Sequence, residues 1–308
     1  MFRLAHFSDP HLGPLPDPRL SQLLSKRILG YVNWRRNRAR AMSGDFLVRL
    51  LDDMRAAAPD HVALTGDLVN IALPLEIEAA RAWLESLSAP DDLSLVPGNH
   101  DAYVPGALKS ALEAWRPYMT GDARPALEPH GHQVQFPFVR KRDGIAIVGV
   151  STARASAPWL ATGKIGIAQA RRLEEALARL GAEGLFRVVM IHHPPFRKAT
   201  AWHKRLQDAS RVRAAIRKAG AELVLHGHTH VDSRETLKGP DGPIPVIGVP
   251  SATNAPGGRK PGARYNLFDI APRDSGGWSC HLTERGFTAP GRAIETIADC
   301  ELAIPVPR

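Results

Sequence analysis

The chain has 308 residues, with 44% hydrophobic and 23% charged content, ordinary for a soluble globular protein and enough to bury a substantial core in one large domain or two small ones. Lys plus Arg number 40 against 31 Asp plus Glu, and the resulting charge of +9 suits an anionic partner such as a phosphorylated substrate, a nucleic acid or a lipid headgroup surface. Only Cys280 and Cys300 are present, with no CxxC spacing, which argues against a disulfide scaffold or a thiolate metal site and fits a reducing compartment. No run approaches the roughly 20 apolar residues of a membrane helix, and Met1–Phe7 is too short for a signal-peptide core. The expected location is therefore cytoplasmic, with peripheral membrane contact left open.

In chain order, Phe2–Ser8 reads as a buried strand running into Asp9-Pro10-His11 and a Pro-rich loop. Arg19–Trp34 has helical spacing, with Leu20, Leu23, Leu24, Ile28 and Tyr31 on one stripe that Arg27 interrupts and Gly30 weakens. Between Arg19 and Arg49 there are eight basic residues and one acid, Asp45. Ser43–Ala58 reads as a core helix, His61–Leu64 as a strand ending at Gly66-Asp67, and Leu73–Leu87 as a helix. Leu93–Val96 is a strand that Pro97-Gly98 cuts off before Asn99-His100-Asp101, and Val104–Tyr118 is helical. Val134–Phe138 and Ile145–Val150 read as a hairpin across Arg140–Gly144. A helix over Ile167–Leu180 precedes the strand Phe186–Ile191, which ends at His192-His193. A helix over Arg211–Lys218 precedes the strand Glu222–Leu225, before His226-Gly227-His228-Thr229-His230. The tail, with apolar runs at Val246–Val249, Tyr265–Ile270 and Trp278–Leu282, suggests antiparallel strands. Without an internal repeat or a linker, the expectation is one domain over 1–308, with a basic insertion at about 19–42 and a β-rich part from about 245.

Five of these apolar runs stop and present metal-binding or proton-moving side chains: Asp9 and His11, Asp67, Asn99, His192, and His228 with His230. Ligands of open α/β sheets gather at such C-terminal strand edges. The donors are oxygen and imidazole nitrogen with no sulfur, a set suited to Mn, Fe, Zn or Ni. In Asp9-Pro10-His11 and His228-Thr229-His230 the i, i+2 spacing puts both side chains on one side of an extended segment, so one strand end can supply two ligands.

These blocks, in this order, resemble the calcineurin-like metallophosphoesterases. Their pattern of Asp-x-His, Gly-Asp, Gly-Asn-His-Asp/Glu, His and Gly-His-x-His matches Asp9/His11, Gly66-Asp67, Gly98–Asp101, His192 and Gly227–His230. The His-His-Pro-Pro and Gly-Asp-Leu-Val-Asn blocks look most like bacterial class III cyclic-nucleotide and glycerophosphodiester phosphodiesterases. The resemblance implies an α/β fold of two facing mixed sheets flanked by helices, a four-layer αββα sandwich with the site at one edge. It implies two metal ions (Mn, Fe or Zn), with Asp9, His11 and His230 on one, Asn99, His192 and His228 on the other, and Asp67 bridging. A hydroxide between them would be the nucleophile of a phosphodiesterase. The same resemblance puts His100 beside the leaving group as a general acid or phosphoryl donor, where Asp101 either orients it or caps the following helix.

Of the neighbouring histidines, His193 belongs to the pocket wall or behind the ligands, because residues adjacent in a strand point to opposite faces. His226 reads as core or support, and His6, His61, His130, His132 and His281 carry no site role. Arg154 is either a phosphate contact or a solvated arginine, while Trp202, His203 and Tyr103 are candidates to line the pocket. The Arg19–Arg40 segment could rest on an anionic membrane, cap the site or touch a second copy. It could equally pack on the chain's own surface with its arginines solvated. Nucleic acid ranks lower as a partner. Hydrolysis of lipid-linked pyrophosphates or phosphomonoesters at a membrane is the second enzymatic reading. A non-catalytic binding module is the third, and the filled ligand positions speak against it.

Overall fold

The computed structural model describes residues 1–38, 44–122 and 134–306. Its first part holds β1 (Phe2–Phe7), α1 (Leu20–Leu23), α2 (Arg27–Asn33), α3 (Gly44–Ala56), β2 (His61–Leu64), α4 (Pro74–Leu87), β3 (Leu93–Leu95) and α5 (Ala107–Ala114). The middle holds β4 (Phe138–Arg142), β5 (Ile145–Val150), α6 (Ile167–Ala182), β6 (Phe186–Ile191), α7 (Ala209–Ala219) and β7 (Leu223–His226). The remainder is strand: β8 (Ser233–Lys238), β9 (Pro243–Gly248), β10 (Arg264–Pro272), β11 (Trp278–Gly286) and β12 (Glu295–Glu301).

These strands form two six-stranded mixed sheets, ordered β12-β11-β10-β1-β2-β3 and β4-β5-β6-β7-β9-β8. In the first, β1, β2 and β3 are parallel and β10 runs antiparallel to β1. In the second, β5, β6, β7 and β9 are parallel, with antiparallel β4 and β8 at the edges. Period-2 alternation divides the second sheet between two cores. Ile145, Ile147, Phe186, Val188, Met190, Leu223 and Leu225 join the large core shared with the first sheet and α3–α5. Val148, Val189, Ile191 and Val224 instead meet Leu173, Leu177, Val212 and Ile216 of α6 and α7. The expected architecture of two facing mixed sheets flanked by helices is the one observed.

Three expectations need correction. The helix expected at Arg19–Trp34 is broken into α1, α2 and a π-helical turn over Trp34–Arg38, and Leu20 and Leu24 are 85% and 87% exposed. Arg27, which interrupts the apolar stripe, anchors the segment instead: its guanidinium donates to the carbonyls of Ile71 and Ala72. The first hairpin strand is Phe138–Arg142, four residues later than expected. Arg140 reads as a turn residue, but its buried guanidinium donates to the carbonyls of Thr120, Pro90, Leu93 and Pro117, which satisfies it inside the structure. The turn is Asp143-Gly144, with φ of 44° and 84°, as a two-residue I′ hairpin requires. In the tail, β10 and β11 pair antiparallel as expected, but β9 belongs to the other sheet, parallel to β7 and antiparallel to β8. Residues 39–43 of the insertion and adjoining helix start, together with His130 and His132, lie outside the described residues.

Candidate metal centre

The parallel strands β1, β2 and β3 end on the same side, and the loops beyond them are laced together. Asp9 N–H donates to Gly66 O, His11 N–H to Asp67 O and Leu12 N–H to Leu68 O, at 3.0, 3.1 and 2.7 Å. From the other sheet Gly227 N–H reaches His192 O, and Ala252 N–H reaches Ser8 O across the two sheets. Asp9, His11, Asp67, His228 and His230 all have positive φ, between 40° and 69°, a conformation that non-glycine residues rarely adopt and that clusters at functional sites. The i, i+2 reading of Asp-Pro-His and His-Thr-His is therefore right about convergence and wrong about its cause: these residues lie past the strand ends in left-handed backbone. The close approach of loops also explains Gly98, where a Cβ would stand 2.2 Å from Asp67 Oδ1.

Side chains from the five strand ends meet. Asp9–His11–His230, Asp9–Asp67–His192, His11–Asp67–His100 and His192–His193–His228 each have candidate ligand atoms within 4.8 Å of one another. His230 Nε2 is 3.1 Å from Asp9 Oδ1, His11 Nε2 is 3.9 Å from both Asp9 and Asp67, and His192 Nε2 is 3.4 Å from Asp67 Oδ2. Asn99 Oδ1 joins them 3.2 Å from His192 Nε2.

Backbone carbonyls set the direction of four of the imidazoles. His11 Nδ1 pairs with Val69 O, His192 Nδ1 with Thr65 O, His100 Nδ1 with Asn70 O and His228 Nε2 with Lys204 O. Fixing one ring nitrogen in this way selects the tautomer and aims the other nitrogen, as in metal-ligating histidines generally. Asp9 Oδ2 accepts the His228 N–H at 2.9 Å, while Oδ1 is buried and makes no hydrogen bond among the described residues. A buried carboxylate oxygen facing the imidazole nitrogens of His230 at 3.1 Å and His11 at 3.9 Å fits a cation.

The electrostatics agree with that fit. Burial opposes charge on Asp9 and Asp67, yet His230 beside Asp9, and His192 and His100 beside Asp67, hold both carboxyls well below their usual range. Burial also opposes a charged His192, but Asp67 and Asp9 raise it to about 9. His228, pushed down to about 3 by burial and by His192, stays neutral.

Other residues behave less as the motifs suggest. Asp101, fully buried, accepts N–H groups of Asp67 and Gly98 at Oδ2 and of Leu68 and Val69 at Oδ1. It gathers the Asp67 loop rather than orienting the His100 ring at Nδ1, a task that falls to Asn70 O. It does not cap a helix either, since α5 starts at Ala107 after Gly106. Burial and the Asp67 charge push Asp101 up to about 7. His193 is not turned away from its neighbour, because β6 ends at Ile191. Its ring lies 4.4 Å from that of His228, and both its nitrogens are engaged, by Thr152 Oγ1 and Ala161 O. His226 is buried behind the site against Gly227 O and Ser233 Oγ.

A cavity of about 420 Å³ opens over the cluster, lined by Asp67, Asn99, His100, His228 and His230 on one side and by Lys26, Leu29, Gly30, Asn33 and Trp34 of the insertion on another. Tyr103 lines it and stacks on His100 at 5.5 Å. Trp202 and His203 are not among the lining residues, and Arg154 pairs with Gln207 instead. Sequence reasoning missed Asn70 and Glu76. The buried Glu76 carboxylate accepts the N–H groups of Asn70, Ile71 and Leu73, fixing the loop whose carbonyls hold His100 and Arg27. Its place at the third helical position of α4, after Leu73, was the available signal.

The chain and its fold have known counterparts. A family profile described as calcineurin-like phosphoesterase matches residues 2–232, and the chain belongs to that family. A curated relative, the glycerophosphodiester phosphodiesterase GpdQ of Enterobacter lignolyticus (strain SCF1), is 27% identical over 192 residues, or 62% of this chain and 56% of the relative. The chain thus matches little more than half of that relative's length. Among solved structures, a dimetal phosphatase from Danio rerio superposes with a TM-score of 0.61 at 14% identity, covering 96% of this chain and 98% of the other. Purple acid phosphatase PPD1 from yellow lupin seeds gives 0.54 at 14% identity, with 96% and 53% covered. At these identities the likeness is one of fold.

Proposed function

We propose that the protein is a binuclear metal-dependent phosphodiesterase. Asp9, His11 and His230 would hold one cation and Asn99, His192 and His228 the other, with Asp67 between them; the nitrogen and oxygen donors suit Mn, Fe or Zn. The observation that carries this reading is the convergence of two buried carboxylates with imidazoles whose remaining nitrogens are pinned by backbone carbonyls. When bound, such a metal pair makes water nucleophilic near neutral pH and offsets phosphoryl charge.

The chain's own groups do the rest. His100 Nδ1 is committed to Asn70 O, so its other nitrogen serves the reaction, donating a proton to the departing alkoxide or a hydrogen bond to a phosphoryl oxygen. Lys26, Lys204 and Lys260 line the same cavity and favour an anionic ester. The diester preference is supported by the likeness to a glycerophosphodiester phosphodiesterase. A non-catalytic binding module is disfavoured, since each ligand position and His100 are filled.

The test is turnover of bis(p-nitrophenyl) phosphate and of a glycerophosphodiester by metal-loaded protein, beside phosphomonoesters. Diester turnover lost in His100→Ala by about 10²–10⁴-fold, with metal content kept, is the expected result. Metal loss in that variant would make His100 a ligand, and a monoester preference would overturn the diester assignment.

A further inference from the structure

The insertion that walls the cavity carries apolar surface the fold does not use. Among the described residues, large hydrophobic side chains are exposed at twelve positions, and six of these lie on three segments around the cavity: Leu20, Leu24, Ile28 and Val32 on α1–α2, Trp159, and Trp202. The three segments are joined. Lys26 Nζ donates to Leu160 O at 2.7 Å and to Ser156 Oγ at 3.1 Å, and Ala161 N–H donates to His203 O at 2.8 Å. Trp159 is itself part of the cavity lining and is 78% exposed.

The insertion divides its residues among separate faces. Lys26, Leu29, Gly30, Asn33 and Trp34 line the cavity, while Arg27 and Tyr31 turn to the body of the protein. Leu20 and Leu24 at α1, and Ile28 and Val32 on α2, are left to solvent. No acidic residue occurs from Pro18 to Gly44, and Arg19, Arg35, Arg36 and Lys204 are exposed around the apolar positions.

We propose that this face docks on an anionic phospholipid bilayer, so that the cavity receives an amphiphilic phosphoester from the membrane surface. Exposed leucine and tryptophan flanked by arginine and lysine suit the headgroup boundary, where apolar side chains enter the acyl edge and cations meet lipid phosphates. A second copy fits less well, because isologous pairing would bring the cationic patch against itself. Only the identity of the substrate rests on the phosphodiesterase reading; docking does not.

Flotation of the full-length, metal-loaded chain with vesicles of phosphatidylcholine, with and without phosphatidylglycerol, tests the proposal. Binding to the anionic vesicles at low salt, lost on raising the salt and weakened roughly tenfold or more in Leu20→Ser/Leu24→Ser, is the expected result. That variant should keep its turnover of soluble bis(p-nitrophenyl) phosphate, and Val48→Ser/Leu75→Ser, exposed elsewhere, should bind as the parent does. Asp67→Ala, inactive on this reading, should still float; a metal-loaded parent protein that binds vesicles but turns over no phosphoester would sink the catalytic reading and leave docking standing. Active protein that ignores anionic vesicles overturns docking. So does a dimer in light scattering that Leu20→Ser/Leu24→Ser turns into monomer, which would assign the face to a second copy.

Discussion

Two buried carboxylates, Asp9 and Asp67, need compensating charge, and in the metal-free protein part of it comes from His192, raised to about 9. Burial alone would lower that imidazole; the facing carboxylates reverse the sign. A ligating imidazole must be neutral, so loading metal between about pH 6.5 and pH 9 has to expel a proton. Calorimetric titration with Mn in buffers of different ionisation heat should show that release, and affinity should rise with pH until about 9 and then level off. Affinity flat across that range would contradict the assignment of His192. Asp101 gives a second residue-scale prediction. In Asp101→Asn, one of the two backbone N–H pairs faces an amide NH₂ instead of a carboxylate oxygen, leaving donors buried against donors at a cost of about 1–3 kcal/mol. Metal affinity should fall along with thermal stability, whereas an effect on turnover alone would mean that Asp101 acts on the reaction itself. At this scale the candidate ligands were legible, because each follows an apolar run with an unusual polar residue. What orients them was not, since carbonyls such as those of Thr65, Val69, Asn70 and Lys204 belong to every residue and leave no mark on a sequence.

Elements were legible where burial enforces a pattern. β1, β2, β5, β6 and β7 are apolar runs because both faces are covered. β8 and β12 are edge strands that expose most of their residues, so no apolar period announces them. The insertion misled for a different reason: its leucines have helical spacing but no core to face, and its firmest contacts come from Lys26 and Arg27. Gly30, which weakens a helix in isolation, is where α2 presses against the cavity wall. A Cβ there would meet Ile71 Cγ2 and Tyr103 Oη at 2.5 Å. Gly30→Ala should therefore displace α2, lower stability by about 1–3 kcal/mol and raise KM while metal content is unchanged. Unaltered KM and stability would show that the insertion does not pack this closely in solution.

Across the whole molecule, the sandwich brings candidate ligands from residue 9 to residue 230 together by aligning parallel strand ends of two sheets, and its interior carries histidines that burial keeps neutral. His6 and His61 are buried against Thr65 and Ser94, and burial, chiefly, lowers both to about 3. An unfolded histidine titrates near 6.5, so below that pH the unfolded chain takes up protons that the folded one refuses. Stability should then fall as pH drops from about 6.5 towards about 3, and thermal melting followed by circular dichroism across that range checks it. A melting temperature unaffected by acid would mean that these side chains are not held as described. The central claim, that seven side chains converge on a pair of cations, is tested most directly by anomalous diffraction from Mn-loaded crystals. Two peaks should flank Asp67, roughly 3.5–4 Å apart, one among Asp9, His11 and His230 and the other among Asn99, His192 and His228; a single peak, or peaks away from Asp67, would contradict the account.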